Sequence, residues 1–202
     1  MSVPHVPFFS QFETPALTAR IAAGTFDLRE DPAWAASGAA DPEEYARWSM
    51  HACGMACLRM ILAATRGEAP PTLVLLRASL PYGCYVEDGA AIKGLIYAPF
   101  VRYVAAEFGL AAEVVTGVEA GDLPALLSRA PFFIASVHPW IRWPAREPPR
   151  RGGHLVLVHR ADGAEVMFNN PSGDVPASQG DAVLGLRDFA RYFAGRGILV
   201  RA

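Results

Sequence analysis

The hydrophobic positions of this chain change their period from one end to the other. Between His51 and Thr65 the residues Ala52, Met55, Ala56, Met60, Ile61 and Leu62 fill a wide helical face, and Gly67 with Pro70 and Pro71 closes the run. A second helical stretch follows Pro99, a residue suited to a first helical turn, and ends at Gly109. Shorter helices are expected near Pro42 to Trp48, in "GDLPALLSRA" from Asp122, and over Leu186 to Ala194. Strand signals come later: "AAEVVTG", "PFFIASV", "HLVLVHR", "AEVMFNN" and the closing "GILVRA". Residues Leu73 to Tyr97 read as mixed, with "PYGCYVEDGA" rich in turn formers. Helices first and antiparallel strands afterwards predict an α+β fold rather than repeating βαβ units.

The remaining stretch, residues 12–50, is rich in Ala, Asp, Pro and Gly and reads as a long excursion that separates Gln11 from Cys53. With 202 residues, 52% of them hydrophobic, the chain is expected to form one domain that includes this excursion. A net charge of −2 supplies no general attraction to a polyanion, so no nucleic-acid partner is expected. No apolar run approaches the roughly 18 residues of a membrane span, and "MSVPHVPFFSQ" lacks the layout of a secretory signal. A cytoplasmic location is therefore expected. Three cysteines suit free thiols better than a disulfide framework, and Cys53 and Cys57 stand four apart in a helical pattern.

Candidate chemistry begins with "MHACGMACLRMIL". A cysteine nucleophile acts as its thiolate, and the unpaired N–H groups of a helix N-terminus favour that charge. Cys53 stands at the start of the apolar helix, whereas Cys57 lies one turn deeper, among core residues. Downstream, "RRGGHLVLVHRADGAEVMFNNPSG" has Asp-Gly between two β-prone runs and reads as a hairpin. With Ala161, Asp162 and Gly163 as its loop, and Gly163 left-handed, Arg160 faces Ala164 and His154 faces Asn170. A two-residue loop instead places Pro171 opposite His154 and brings Asn169 onto its face. Either register joins an imidazole to an amide, the pairing that orients a base for a thiol.

The series "FFSQ", "CGMACLRMIL", "GGHLVLV" and "NNP" resembles the bacteriocin-processing, double-glycine-leader peptidase family and its stand-alone relatives, within the papain-like cysteine peptidases. The resemblance implies a papain-like fold, with the Cys-bearing helix packed on a C-terminal antiparallel sheet, and cysteine-dependent hydrolysis of a peptide or related acyl bond. It implies Cys53 as nucleophile, His154 as general base and acid, Asn170 as the orienting residue and Gln11 as the side-chain donor of an oxyanion hole. Asn170 stands where the family usually has Asp, Met55 replaces a common Pro, and the distance from Gln11 to Cys53 exceeds the family's spacing. No cofactor is implied.

Trp140, Trp143 and Arg151, in a loop that also carries Arg142, Arg146 and Arg150, are candidates for substrate binding, either to a peptide such as a leader or to a carrier-bound acyl group. That loop keeps open a cysteine acyltransferase or cyclase as an alternative. A non-catalytic peptide-binding homologue is a further one. His51, Cys53, Cys57 and Cys84 could also be read as metal ligands, but structural zinc uses paired ligands on turns, so no metal site is expected.

Overall fold

The computed structural model describes residues 5–89 and 91–201. The helices are α1 (Thr18–Ala22), α2 (Pro42–Ser49), α3 (Cys53–Arg66), α4 (Thr72–Ser79), α5 (Tyr97–Phe108), α6 (Leu123–Arg129) and α7 (Leu186–Tyr192). The strands are β1 (Val86–Asp88), β2 (Ala91–Lys93), β3 (Ala111–Thr116), β4 (Phe132–Val137), β5 (His154–Ala161), β6 (Glu165–Asn169), β7 (Ala182–Gly185) and β8 (Phe193–Arg201). Strands β1 and β2 form a separate hairpin, and the other six form one antiparallel sheet in the order β3-β8-β4-β5-β6-β7.

Alternation along the central strands builds two cores, one on each face of this sheet. Phe132, Ile134, Leu155, Leu157, Ile198 and Val200 join the core that contains α3, together with Met55, Leu58 and Ile61. Phe133, Ala135, Val156, Val158 and Leu199 join the other, under Leu123 and Leu126 of α6 and Phe189 of α7. Covered on both faces, β4 is buried at every residue and therefore reads as an unbroken apolar run rather than an alternating one. Helix α3 is buried almost all round and ends where Gly67 takes φ 83° and donates its N–H to the Ala63 carbonyl.

Several expectations need correction. Leu73 to Tyr97 contains a clear helix, α4, whose Leu73, Leu75 and Leu76 are buried against α3's core. The helix expected to reach Ala194 stops at Tyr192, because Phe193 pairs with Val137 and extends β8. The hairpin turn is Asp162 to Ala164, and Gly163 is not left-handed. The Asp162 carboxylate makes the turn instead, accepting the N–H groups of Ala164 and Glu165. A register shift between Val158 and Arg160 then sets Leu157 opposite Asn169, so neither expected register is formed.

The excursion is folded onto the body of the protein. Buried Asp31 accepts the hydroxyls of Thr14 and Tyr45 and the N–H groups of Thr14 and Ala33, and Tyr45 accepts the N–H of Glu13. A buried carboxylate with this many donors has replaced its hydration in full, and it ties three separate stretches of the excursion together.

Candidate active site

Helix α3 opens with no side-chain cap, so the orphan N–H groups of its first turn are left to whatever stands in front of them. Cys53 stands there, half-buried, whereas Cys57 and Cys84 are buried. The backbone N–H groups of Leu155, Gly54 and Cys53 itself approach the Cys53 sulfur and favour its anion, yet burial dominates and pushes the thiol up to about 11. Cys57 makes only a long sulfur contact, 3.9 Å to the Leu155 carbonyl, and belongs to the core.

His154 begins β5 directly after Gly152 and Gly153, which take φ 83° and 101°. Only glycine adopts that backbone readily, and it turns the Arg-rich loop sharply into the strand. The ring Nε2 of His154 lies 2.8 Å from Asn170 Oδ1 and 3.0 Å from Ser172 Oγ. The hydrogen-bond directions follow from the neighbours. The Ser172 N–H can only donate, and it points at the same Asn170 atom from 3.1 Å, so that atom is the amide oxygen. An oxygen there requires a proton on Nε2, which leaves the lone pair on Nδ1. Arg142 completes the network by donating to Ser172 Oγ at 2.7 Å. Burial, together with the Arg142 charge, lowers His154 to about 3 against the pull of Asn170. Cysteine and histidine are therefore both neutral at rest.

Gln11 is brought to this site across 41 intervening residues by three contacts. Its N–H donates to the Pro171 carbonyl at 2.9 Å, Ser10 Oγ donates to the same carbonyl at 3.0 Å, and its own Nε2 donates to the Ser49 carbonyl at 2.9 Å. Ser49 ends α2, so the excursion itself orients the Gln11 amide. Among the described residues one N–H of that amide has no protein partner, and neither has its buried Oε1. Asn169, the other amide considered for orienting His154, turns away: its Nδ2 donates to the Val6 carbonyl at 3.3 Å and its Oδ1 accepts the Asp181 N–H at 2.7 Å.

Cys53, Gly153 and His154 line two cavities. One, of about 300 Å³, is shared with Gln11, Trp140, Arg142, Trp143 and Ser172, and the excursion contributes Ile21, Ala22 and Met50 to its wall. The other, of about 390 Å³, is lined by residues 93–97, Ser136 and Arg196. Among the described contacts no hydrogen bond joins Cys53 to His154; they meet through the cavities they share. Trp143 is fixed by its Nε1–H on Asp174, at 2.6 Å, and Trp140 packs edge-on against His138. Arg151 is not with them. It lines a third cavity with Glu119, Leu186 and Arg187, because the left-handed glycines that follow turn the chain away from it. Ser172 and Arg196 escaped sequence reasoning. "NNPSG" did carry a serine two residues after Asn170, but nothing local aimed it at an imidazole.

Among the described residues no three His, Cys, Asp or Glu side chains converge as metal ligands, and no helix is long and apolar enough to cross a membrane.

No protein-family model matches the chain, and no curated protein matches its sequence. Solved structures do. The peptidase domain of Streptococcus ComA, a bi-functional ABC transporter involved in a quorum-sensing pathway, superposes with a TM-score of 0.52 at 16% identity over 75% of this chain and 91% of that one. A double-glycine-motif protease from an AMS/PCAT transporter, solved with its leader peptide, has a TM-score of 0.48 at 20% identity over 75% and 84%. The chain thus has the papain-like α+β fold of the ComA peptidase domain, as the sequence motifs implied.

Proposed function

We propose that this protein is a cysteine-dependent hydrolase that cleaves a peptide or related acyl bond through Cys53, His154 and Asn170. One observation carries the reading: a histidine whose Nε2–H is held 2.8 Å from a buried amide oxygen, with Nδ1 left basic, on a cavity shared with a cysteine at an uncapped helix start. The fold shared with the ComA peptidase domain is consistent with it.

In the reaction His154 Nδ1 takes the proton of Cys53 as the sulfur attacks the carbonyl carbon. The oxyanion receives the backbone N–H of Cys53 and the free N–H of Gln11. The Nδ1 proton then passes to the leaving amine as the C–N bond breaks and the acyl-enzyme forms. Water attacks the thioester, gives a proton to Nδ1, and releases the acid as that proton returns to sulfur. Because burial favours the neutral forms of thiol and imidazole, donors aimed at the sulfur and at the oxyanion have to stabilise the charges as they form.

The test is digestion of a diverse peptide library, read by mass spectrometry. The expected result is discrete cleavage and an acyl adduct on Cys53, both abolished in Cys53→Ala and His154→Ala. Cleavage that survives Cys53→Ala overturns the reading. Arg142, which lines the cleft without a carboxylate ion pair among the described residues, favours acyl transfer as a second reading. Release of the adduct to an added amine but not to water would select it. Selective peptide binding with no adduct would select the non-catalytic homologue.

A further inference from the structure

The cavity that Cys53 lines without Gln11 has a one-sided charge balance. Its wall carries Arg196 and Lys93, and neither Asp nor Glu lines it. Neither cation forms an ion pair with a described carboxylate. Arg196 is nevertheless positioned. Arg196 Nη2 and Ser136 Oγ lie 3.5 and 3.3 Å from where a Cβ at Gly152 would stand, so guanidinium and hydroxyl are neighbours over that glycine, and Tyr97 lines the same cavity. The guanidinium thus lies beside Gly152 and the Ser136 hydroxyl, on the wall of a cavity that Cys53 also lines. Leu95, Ile96 and Leu155 supply apolar parts of its wall. Planar guanidinium with hydroxyl neighbours suits a planar anion that accepts two hydrogen bonds, and a carboxylate is that anion.

We propose that this cavity is a specificity subsite for an acidic residue of the substrate, Asp or Glu, within about two residues of the bond attacked, with Arg196 as its main contact and Lys93 adding charge. The proposal rests on the reading of Cys53 as the nucleophile. The cavity with the two tryptophans then takes the other flank of the substrate.

The test uses alkylating reagents that need no turnover: iodoacetyl-Glu amide and iodoacetyl-Gly-Glu amide, each against its Gln twin of the same size. Rates at Cys53 are measured on the full chain by peptide mapping and divided by the same ratio on N-acetylcysteine. One acidic reagent is expected to react about 5- to 10-fold faster than its twin at low salt, and the preference should shrink towards unity in about 0.5 M salt. The doubly substituted Arg196→Gln, Lys93→Gln protein, with both changes at exposed side chains, should lose the preference; Arg187→Gln, in the third cavity, should keep it. Equal rates for the twins, a preference that survives the double substitution, or failure of every reagent to reach Cys53 overturns the proposal. Peptide turnover reports separately on the nucleophile. A protein that shows the Glu preference but no Cys53-dependent cleavage would lose the hydrolase reading while keeping a carboxylate-binding cleft.

Discussion

Replacing Asn170 by Asp probes the centre of the network. The substitution puts a full negative charge where an amide oxygen now lies 2.8 Å from His154 Nε2. With charge centres about 4 Å apart and an effective dielectric of about 20, an imidazolium gains about 4 kcal/mol, equivalent to about three pH units. Part of this is lost to desolvating a carboxylate at a fully buried position, although the Ser172 N–H, 3.1 Å from the same oxygen, and the nearby Arg142 charge offset some of that loss. The net expectation is a rise of about two units in the His154 pKa from its starting value of about 3. Ring-resolved NMR titration measures it, with His154→Gln assigning the signal among the five histidines. The same spectra report the tautomer, expected to be Nε2–H in the parent protein. A shift below half a unit, or a proton on Nδ1, would refute the network as drawn.

Four further outcomes follow from the geometry. Burial holds His154 neutral down to about 3, while an unfolded imidazole protonates near 6.5, so the unfolded chain binds the extra proton between these values. Stability should then be full above about pH 6.5 and fall by up to about 1.4 kcal/mol per unit as pH drops towards 3; urea midpoints of His154→Gln should lack that slope, and an unchanged slope would assign it elsewhere. A Cβ at Gly54 would meet Leu95 Cδ2 at 2.7 Å and Leu155 Cδ1 at 3.0 Å, so Gly54→Ala should cost about 1 to 3 kcal/mol in denaturant melts by forcing the Cys-bearing helix off β5. Cys57→Ala should cost about 1 to 2 kcal/mol of stability and leave turnover intact, whereas Gln11→Ala should lower kcat by about a hundredfold or more besides the roughly 1 to 3 kcal/mol of stability lost with its bond to the Ser49 carbonyl.

What the sequence determined by itself is what depends on near neighbours. A period of three to four, a stop at Gly67 and a cysteine at the first turn are written into Met50 to Gly67, and α3 begins at Cys53. Runs such as "PFFIASV" and "HLVLVHR" are too apolar to be anything but buried, and they became the central strands β4 and β5. The same local logic failed where a side chain rather than a glycine makes the turn, as at Asp162, and where burial against the neighbouring helix decides, as in α4. Only the tertiary structure decided the partners. The Asp162 turn sets Ala161 opposite Val166 and the bulge in β5 shifts the pairing by one residue, so neither expected register forms and Asn170 is left on a turn, where the Ser172 N–H identifies the amide oxygen that faces His154. Gln11 reached the cleft because Pro171 and Ser49 hold it, contacts that span 160 and 38 positions of the chain. Arg196 and Arg151 were two arginines among many until folding set one on a cavity that Cys53 lines and the other on a different cavity. Periodicity encodes which face of an element is buried; which atoms meet across that face depends on register and chain crossings, and these are fixed by the sum of many weak long-range contacts.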